Sequence, residues 1–366
     1  MFREVLKKEI DKIKDNNLYR ELRKVKGINF SSNDYLCLSK HPEVIEALKN
    51  GAKYGVGSTG SRLTSGNINH EKLEEKMAKF KGTESSLLYP TGYMANLSIS
   101  AICKKGDLIL SDELNHASII DGCRLSKADR LIYKHCDTNH LLDLLEKNYK
   151  NYNNIFIITD SVFSMDGDIA PLNELKKIAD DFGAVLILDD AHATGVLGNG
   201  KGALEYFNIK PDDNIIIIVT LSKAIGCLGG CVCGVEELKD YLINTSRSFI
   251  FTTALPPAIV EAAIKAIEII EEGKVVKKLK KNINLANKIF KSYNFINREN
   301  ETPIYPFIFR DKTVKIAEYL IKNNIFCIPI RYPTVPKGSE RIRISINVEH
   351  MKEDFIILCE KIKELW

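Results

Sequence analysis

Long apolar runs are missing from this 366-residue chain. None approaches the roughly 18 consecutive apolar residues that a membrane span needs. The amino-terminal stretch from Met1 to Asn17 is charged and amphipathic, without the apolar centre of a signal peptide. Paired cysteines are missing too. The nine cysteines fall at 37, 103, 123, 136, 227, 231, 233, 327 and 359 without one C-x-x-C pair. That is the scatter of free, buried thiols in a reducing compartment. Cys227, Cys231 and Cys233 come nearest to a cluster, but they lie in a glycine-rich, strand-like stretch without ligand spacing, and no metal is expected. A large excess of one charge is also absent. The net charge of +4 gives no reason to expect nucleic acid or another polyanion as partner. There are no internal repeats and no low-complexity segments. The expectation is a cytoplasmic protein away from membranes, with about two domains' worth of chain.

What is present is alternation. Val5, Ile10, Ile13, Leu18 and Leu22 give residues 3–26 a helical pattern, with Arg20 near its end. An extended polar-aromatic stretch, Ile28–Leu36, precedes a helix from His41 to Lys49 with Pro42 in its first turn. Residues 51–67 are rich in glycine and hydroxyls and read as a loop close to a ligand or partner. A charged helix follows from His70 to Lys81. Short apolar strands are then expected at Ser86–Tyr89, Leu108–Leu110, Leu131–Tyr133, Ile155–Thr159, Val185–Leu188, Ile215–Val219 and Cys231–Gly234. Helical segments between them include Tyr93–Cys103, His116–Ser126, Asn139–Asn148 and Leu172–Phe182. This order predicts an α/β fold with a mainly parallel seven-stranded sheet, covered on both faces, that binds ligands at the strand ends. Pro256-Pro257 opens a bridging helix from Ala258 to about Glu272, leading to a smaller α+β carboxy-terminal part. Its expected strands are Thr302–Phe309, Phe326–Ile330 and Arg341–Asn347, with helices at Thr313–Asn323 and Lys352–Trp366. The expected division is 1–40 (helix and arm), 41–257 (large domain) and 258–366 (bridging helix and small domain).

The candidate chemistry sits after the apolar strands. Thr220-Leu221-Ser222-Lys223 follows a run of β-branched residues. The lysine amine is suited to a Schiff base with a carbonyl compound, and the hydroxyls to a phosphate. A surface lysine in a turn fits that stretch equally well. One strand earlier, Asp189-Asp190-Ala191-His192 supplies two carboxylates and an imidazole. An acid and a lysine at neighbouring strand ends are what pyridoxal phosphate needs, for its ring nitrogen and its aldehyde. His116 either caps a helix or lies against an aromatic cofactor. Asp160 to Asp168 form a polar loop after a buried strand, without the spacing or closing Glu of a calcium loop. In Arg341-Ile342-Arg343 the two guanidiniums share one strand face, either in solvent or holding a carboxylate. Gly195 to Lys201 nearly fit a P-loop, but Gly202 stands where a magnesium-binding Ser or Thr is required. A nucleotide hydrolase is the reading of a different class.

Taken together, the blocks Ser31–Leu36, Gly60-Ser61-Arg62, Thr91-Gly92-Tyr93, Asn115–Ser118, Phe163–Asp168, Asp189–His192 and Thr220–Lys223 resemble the α-oxoamine synthases. These are fold-type-I pyridoxal-phosphate enzymes, and the resemblance runs along nearly the full length. It implies that Lys223 binds the cofactor aldehyde and moves protons at the substrate α-carbon. It also implies that Asp189 pairs with the pyridinium nitrogen, His192 reaches the phenolic oxygen and His116 stacks on the ring. Gly92, Tyr93 and Thr220 hold the cofactor on this reading, Ser164 orients it, and Thr252 reaches the partner's phosphate in a homodimer. Arg343, with Asn33 nearby, holds the amino-acid carboxylate; Arg20 and Thr334 contact substrate. Gly60-Ser61-Arg62 and Ile330–Pro336 resemble the branch that condenses L-alanine with pimeloyl-CoA, or the acyl carrier protein thioester, on the way to biotin. A glycine and acetyl-CoA branch is the alternative within the family. Cys37, where the family usually has glycine, and Ala254-Leu255, where it usually has Ser-Met, depart from the pattern.

Overall fold

The computed structural model describes residues 1–16 and 18–366. Its strands, in chain order, are β1 (Ile28–Asn29), β2 (Ser85–Tyr89), β3 (Leu108–Asp112), β4 (Asp129–Tyr133), β5 (Ile155–Asp160) and β6 (Val185–Asp189). They continue with β7 (Ile215–Thr220), β8 (Gly230–Gly234), β9 (Ile304–Ile308), β10 (Ile325–Phe326), β11 (Pro329–Ile330) and β12 (Arg341–Ser345). All seven expected strands of the large sheet are present, in the order β2-β8-β7-β6-β5-β3-β4. β8 runs antiparallel to both neighbours, and every other pair is parallel. The central parallel strands β5, β6 and β7 are almost wholly apolar because both of their faces are covered, whereas the edge strand β4 is largely exposed. Alternation divides them between two cores: Ile157, Leu186, Leu188, Ile217 and Val219 pack on one side. Phe156, Ile158, Ile187, Ile216 and Ile218 pack on the other.

The sheet order reverses between β5 and β3, which opens a crevice at the carboxyl ends of the strands. Asp112, Asp160, Asp189 and Thr220 are the last residues of β3, β5, β6 and β7. The carboxy-terminal residues build a further core on the antiparallel sheet β11-β12-β9. Phe30 packs into that core, and β1 pairs in parallel with β10.

Four expectations differ in detail. The leading helix spans only Phe2–Asp15 and buries no residue. At its end both the Asn16 backbone amide and its side-chain amide donate to the Lys12 carbonyl, at 3.1 and 2.7 Å. Arg20 therefore lies outside the helix. The expected helix Tyr93–Cys103 is two short ones, Gly92–Asn96 and Ile99–Ile102. Phe326–Ile330 splits into β10 and β11, which join different sheets. A 19-residue helix, Lys274–Ser292, follows the bridging helix Pro257–Glu271. Among the described residues no helix is long and apolar enough to cross a membrane.

One buried ion pair braces the sheet. Lys81, at the end of the helix His70–Lys81, meets Asp190 at 2.7 Å, with side chains 3% and 1% exposed. The ammonium also donates to Thr194 Oγ1 at 3.2 Å and to the Lys201 carbonyl. Replacing Lys81 with Met leaves a buried, uncompensated carboxylate. Urea unfolding should then register a loss of about 3–5 kcal/mol; a loss under about 1 kcal/mol would mean that the carboxylate finds another counter-charge.

Candidate active site

A cavity of about 230 Å³ lies at the crevice, lined by residues at the ends of β5, β6 and β7 and in the segments that follow β2 and β3. Gly92, Tyr93, His116, Asp189, Thr220 and Lys223 all line it, so six residues expected from sequence are brought together. Gly92 is required by a close approach. A Cβ there would stand 2.9 Å from Thr220 Cβ, so only glycine lets the short helix Gly92–Asn96 lie on β7. Thr91 caps that helix, its hydroxyl accepting from the Met94 amide at 3.1 Å. Thr220 Oγ1 and Ser222 Oγ lie 2.8 Å apart beside it. After Lys223 the chain turns through Gly226, which has φ +72° and a Cβ position only 2.4 Å from the Ser39 amide nitrogen.

Asp189 is buried and held on both oxygens. It accepts from Asn96 Nδ2 at 2.6 Å and from the Ala191 amide at 2.9 Å. His116 is fixed along one edge, with Nδ1 2.7 Å from Ser118 Oγ, while the residue is exposed towards the cavity. Its amide donates to Asp160 Oδ2 at 2.7 Å. Burial, reinforced by the neighbouring Asp189 charge, raises the Asp160 carboxyl well above the usual range and favours its neutral form. Burial likewise lowers Lys223 to about 8; Asp189 and Asp160 oppose that shift and the Arg343 charge adds to it.

Behind the cavity runs a hydrogen-bonded chain. Arg343 Nη2 donates to the Tyr35 hydroxyl at 3.1 Å, and that oxygen is 2.7 Å from His192 Nδ1. Arg343 also donates to Asn33 Oδ1 at 3.0 Å, to Ser345 Oγ at 2.7 Å and to the Ser164 carbonyl. His192 is buried, and burial with the charges of Lys223 and Arg343 holds it well below its ordinary value, as a neutral imidazole. A neutral ring can accept at Nδ1. The Tyr35 hydroxyl, which also receives the Arg343 bond, has two acceptors within reach, His192 Nδ1 at 2.7 Å and Asn33 Oδ1 at 3.2 Å.

Both arginines of the β12 pair are buried, so that strand face is not in solvent. Arg341 pairs with Asp166. Arg20 Nη2 lies 3.4 Å from Thr334 Oγ1 in a separate cleft of about 440 Å³. Thr252 stands apart from the cavity, beside Arg62 and His70. Asp190 fills the place a phosphate would need in a P-loop, since its Oδ1 accepts the Ala203 amide at 3.1 Å just after Gly202. Sequence reasoning assigned no role to Asn96, Asp160 or Tyr35. Asp160 was within reach, because it ends β5 directly beside Asp189 on β6.

The cavity suits pyridoxal phosphate. It offers an anchored carboxylate, a lysine, an exposed imidazole and two hydroxyls beside a glycine. Asn96 Oδ1 is buried without a hydrogen-bond partner at its wall.

These features define a cofactor-binding site of the aminotransferase kind, and the chain belongs to the aminotransferase class I and II family, whose model matches residues 25–362. It is 70% identical to a Methanocaldococcus jannaschii protein named "Putative 8-amino-7-oxononanoate synthase", over 100% of this chain and 99% of that one. It is 44% identical to 8-amino-7-oxononanoate synthase 2 of Bacillus subtilis, covering 95% and 94% of the two chains. A serine palmitoyltransferase from S. paucimobilis, solved with PLP and myriocin bound, superposes with a TM-score of 0.89. It is 26% identical, with 98% and 96% of the chains covered.

The lowered Lys223 gives a direct test. The nucleophile is the free amine, so reductive trapping of a small aldehyde on Lys223 should rise with pH to a midpoint near 8. Peptide mass spectrometry of the trapped apoprotein would read it, and a midpoint near the ordinary 10.5 would contradict the geometry.

Proposed function

We propose that this chain catalyses the reaction for which its relatives are named: condensation of L-alanine with a pimeloyl thioester, on CoA or acyl carrier protein. Carbon dioxide and the free thiol are released, and 8-amino-7-oxononanoate is formed for biotin synthesis. The observation that carries the reading is Lys223 and Asp189 on one cavity, with Arg343 joined to it through Tyr35 and His192. The full-length identity to named 8-amino-7-oxononanoate synthases supports the choice of branch.

Bound in this cavity, pyridoxal phosphate supplies an electron sink for negative charge developing at the amino-acid α-carbon. The chain does the rest. Lys223, poised as a partly free amine near neutral pH, would hold the cofactor aldehyde and would take and return the proton at the substrate α-carbon. Asp189, held by Asn96 and the Ala191 amide, would pair with the ring nitrogen. His192 would reach the phenolic oxygen, and the exposed ring of His116 would cover the cofactor face. Thr220, Ser222, Gly92 and Tyr93 would hold the cofactor, and Ser164 would orient it. Thr252, outside the cavity, suits a phosphate belonging to the second subunit of a homodimer. Arg343 takes the alanine carboxylate with Asn33 beside it; Arg20 and Thr334 contact substrate from the neighbouring cleft.

Assays with alanine and pimeloyl-CoA or pimeloyl carrier protein, set against glycine and acetyl-CoA, test the reading. Product from glycine and acetyl-CoA alone would move the chain to the alternative branch. Within the favoured branch, Arg343→Lys keeps the charge but loses the planar fork. The KM for alanine should rise about 10- to 150-fold, the range for a lost hydrogen bond to a charged group, with cofactor affinity unchanged. Equal losses of both would assign Arg343 a structural role.

A further inference from the structure

Beyond the cofactor cavity, the ends of β3 and β4 bring together a second set of chemically active side chains. His135 Nε2 lies 2.7 Å from Asp168 Oδ2 and 3.7 Å from Cys136 Sγ, and Cys136 Sγ lies 4.0 Å from Asp168 Oδ2. The three donor atoms thus face one point, at the wall of a cleft of about 590 Å³ that opens to solvent. Asp112 stands behind them. It holds His135 Nδ1 at 3.1 Å through Oδ1 and the Cys136 amide at 2.9 Å through Oδ2, so one carboxylate orients both neighbours. Phe163 packs edge-on against the His135 ring at 4.3 Å and fixes its plane. The remaining oxygen of Asp168, Oδ1, is buried without a hydrogen-bond partner.

We infer that His135, Cys136 and Asp168 form a binding site for a thiophilic divalent ion of the zinc type. Zinc takes nitrogen, sulfur and oxygen donors at about 2.0–2.3 Å in a tetrahedron, which sets donor separations of about 3.4 Å for N···O and about 3.6 Å for pairs with sulfur. The sulfur separations already lie within about half an ångström of that geometry. The short Nε2···Oδ2 contact is a hydrogen bond, and it opens when the ion takes the place of its proton. Binding releases that proton and the Cys136 thiol proton to solvent, leaving imidazole, thiolate and carboxylate as ligands. Water from the cleft completes the fourth position. Asp112, on the far nitrogen of the imidazole, is the carboxylate that metal-bound histidines characteristically carry behind them. No metal was expected from cysteine spacing, because the ligands come from adjacent residues on one loop and a third from another loop 33 positions on. The ion would tie the β4 end to the loop whose Asp166 pairs with Arg341 and whose Ser164 carbonyl holds Arg343.

Equilibrium dialysis of the cofactor-loaded enzyme against zinc chloride tests this, with metal counted by mass spectrometry. One zinc per chain should be retained by the parent. Cys136→Ser, which leaves the His135–Asp168 pair intact, should lower zinc affinity at least tenfold, and Asp112→Asn should lower it about 10- to 100-fold. Cobalt should give tetrahedral d–d absorption that is lost in Cys136→Ser. No retained zinc in the parent, or retention indifferent to Cys136→Ser, would overturn the site.

Discussion

Two adjacent carboxylates at the end of β6 are forced apart by strand geometry, and much of the molecule depends on their different surroundings. Successive side chains point to opposite faces. Asp189 turns towards the cavity, where Asn96 and a backbone amide hold it. Asp190 turns into the protein, where it takes Lys81, Ser161 Oγ, Thr194 Oγ1 and the Ala203 amide. A buried charge is tolerable only when it is paired and hydrogen-bonded. Asp190 meets that condition inside the fold, and its bonds fix the turn through Ala191 and His192. The neighbouring Asp189 can then be left with only part of its hydrogen-bonding capacity used.

The charge of the cavity follows from the same principle. Asp160 and Asp189 end adjacent parallel strands in register, and two ionised carboxylates there would repel in a poorly solvated space. Burial and the Asp189 charge push Asp160 towards its neutral form, which relieves that repulsion. On the cationic side, burial and the neighbouring charges push Lys223 and His192 towards their neutral forms.

Much of this was legible in the residues. The apolar runs marked the central strands β5, β6 and β7 most clearly, because a strand buried on both faces has to be apolar almost throughout. The reactive groups at their ends stand out because polar side chains are rare there. Asn96 was hidden: it points inward from a helix only five residues long, and no periodicity marks so short an element. Tyr35 was quoted as part of a motif but not given a role, since its importance lies in contacts to residues 157 and 308 positions away. The helix Lys274–Ser292 left a readable trace in Val276, Leu279, Ile283, Ala286 and Phe290, spaced by threes and fours under a dense cover of lysine. The N-terminal pattern misled in the opposite sense. Its apolar positions continue past the helix end, but periodicity cannot say where an exposed helix stops when no core holds it.

The Arg343–Tyr35–His192 chain also bears on timing in the proposed reaction. Burial is the larger cause that lowers Lys223 and His192, and the Arg343 charge adds to both shifts. If Arg343 takes the substrate carboxylate, as proposed, that pairing would cancel only the added part, and its direction is the useful one: both groups would become more basic once the substrate is seated.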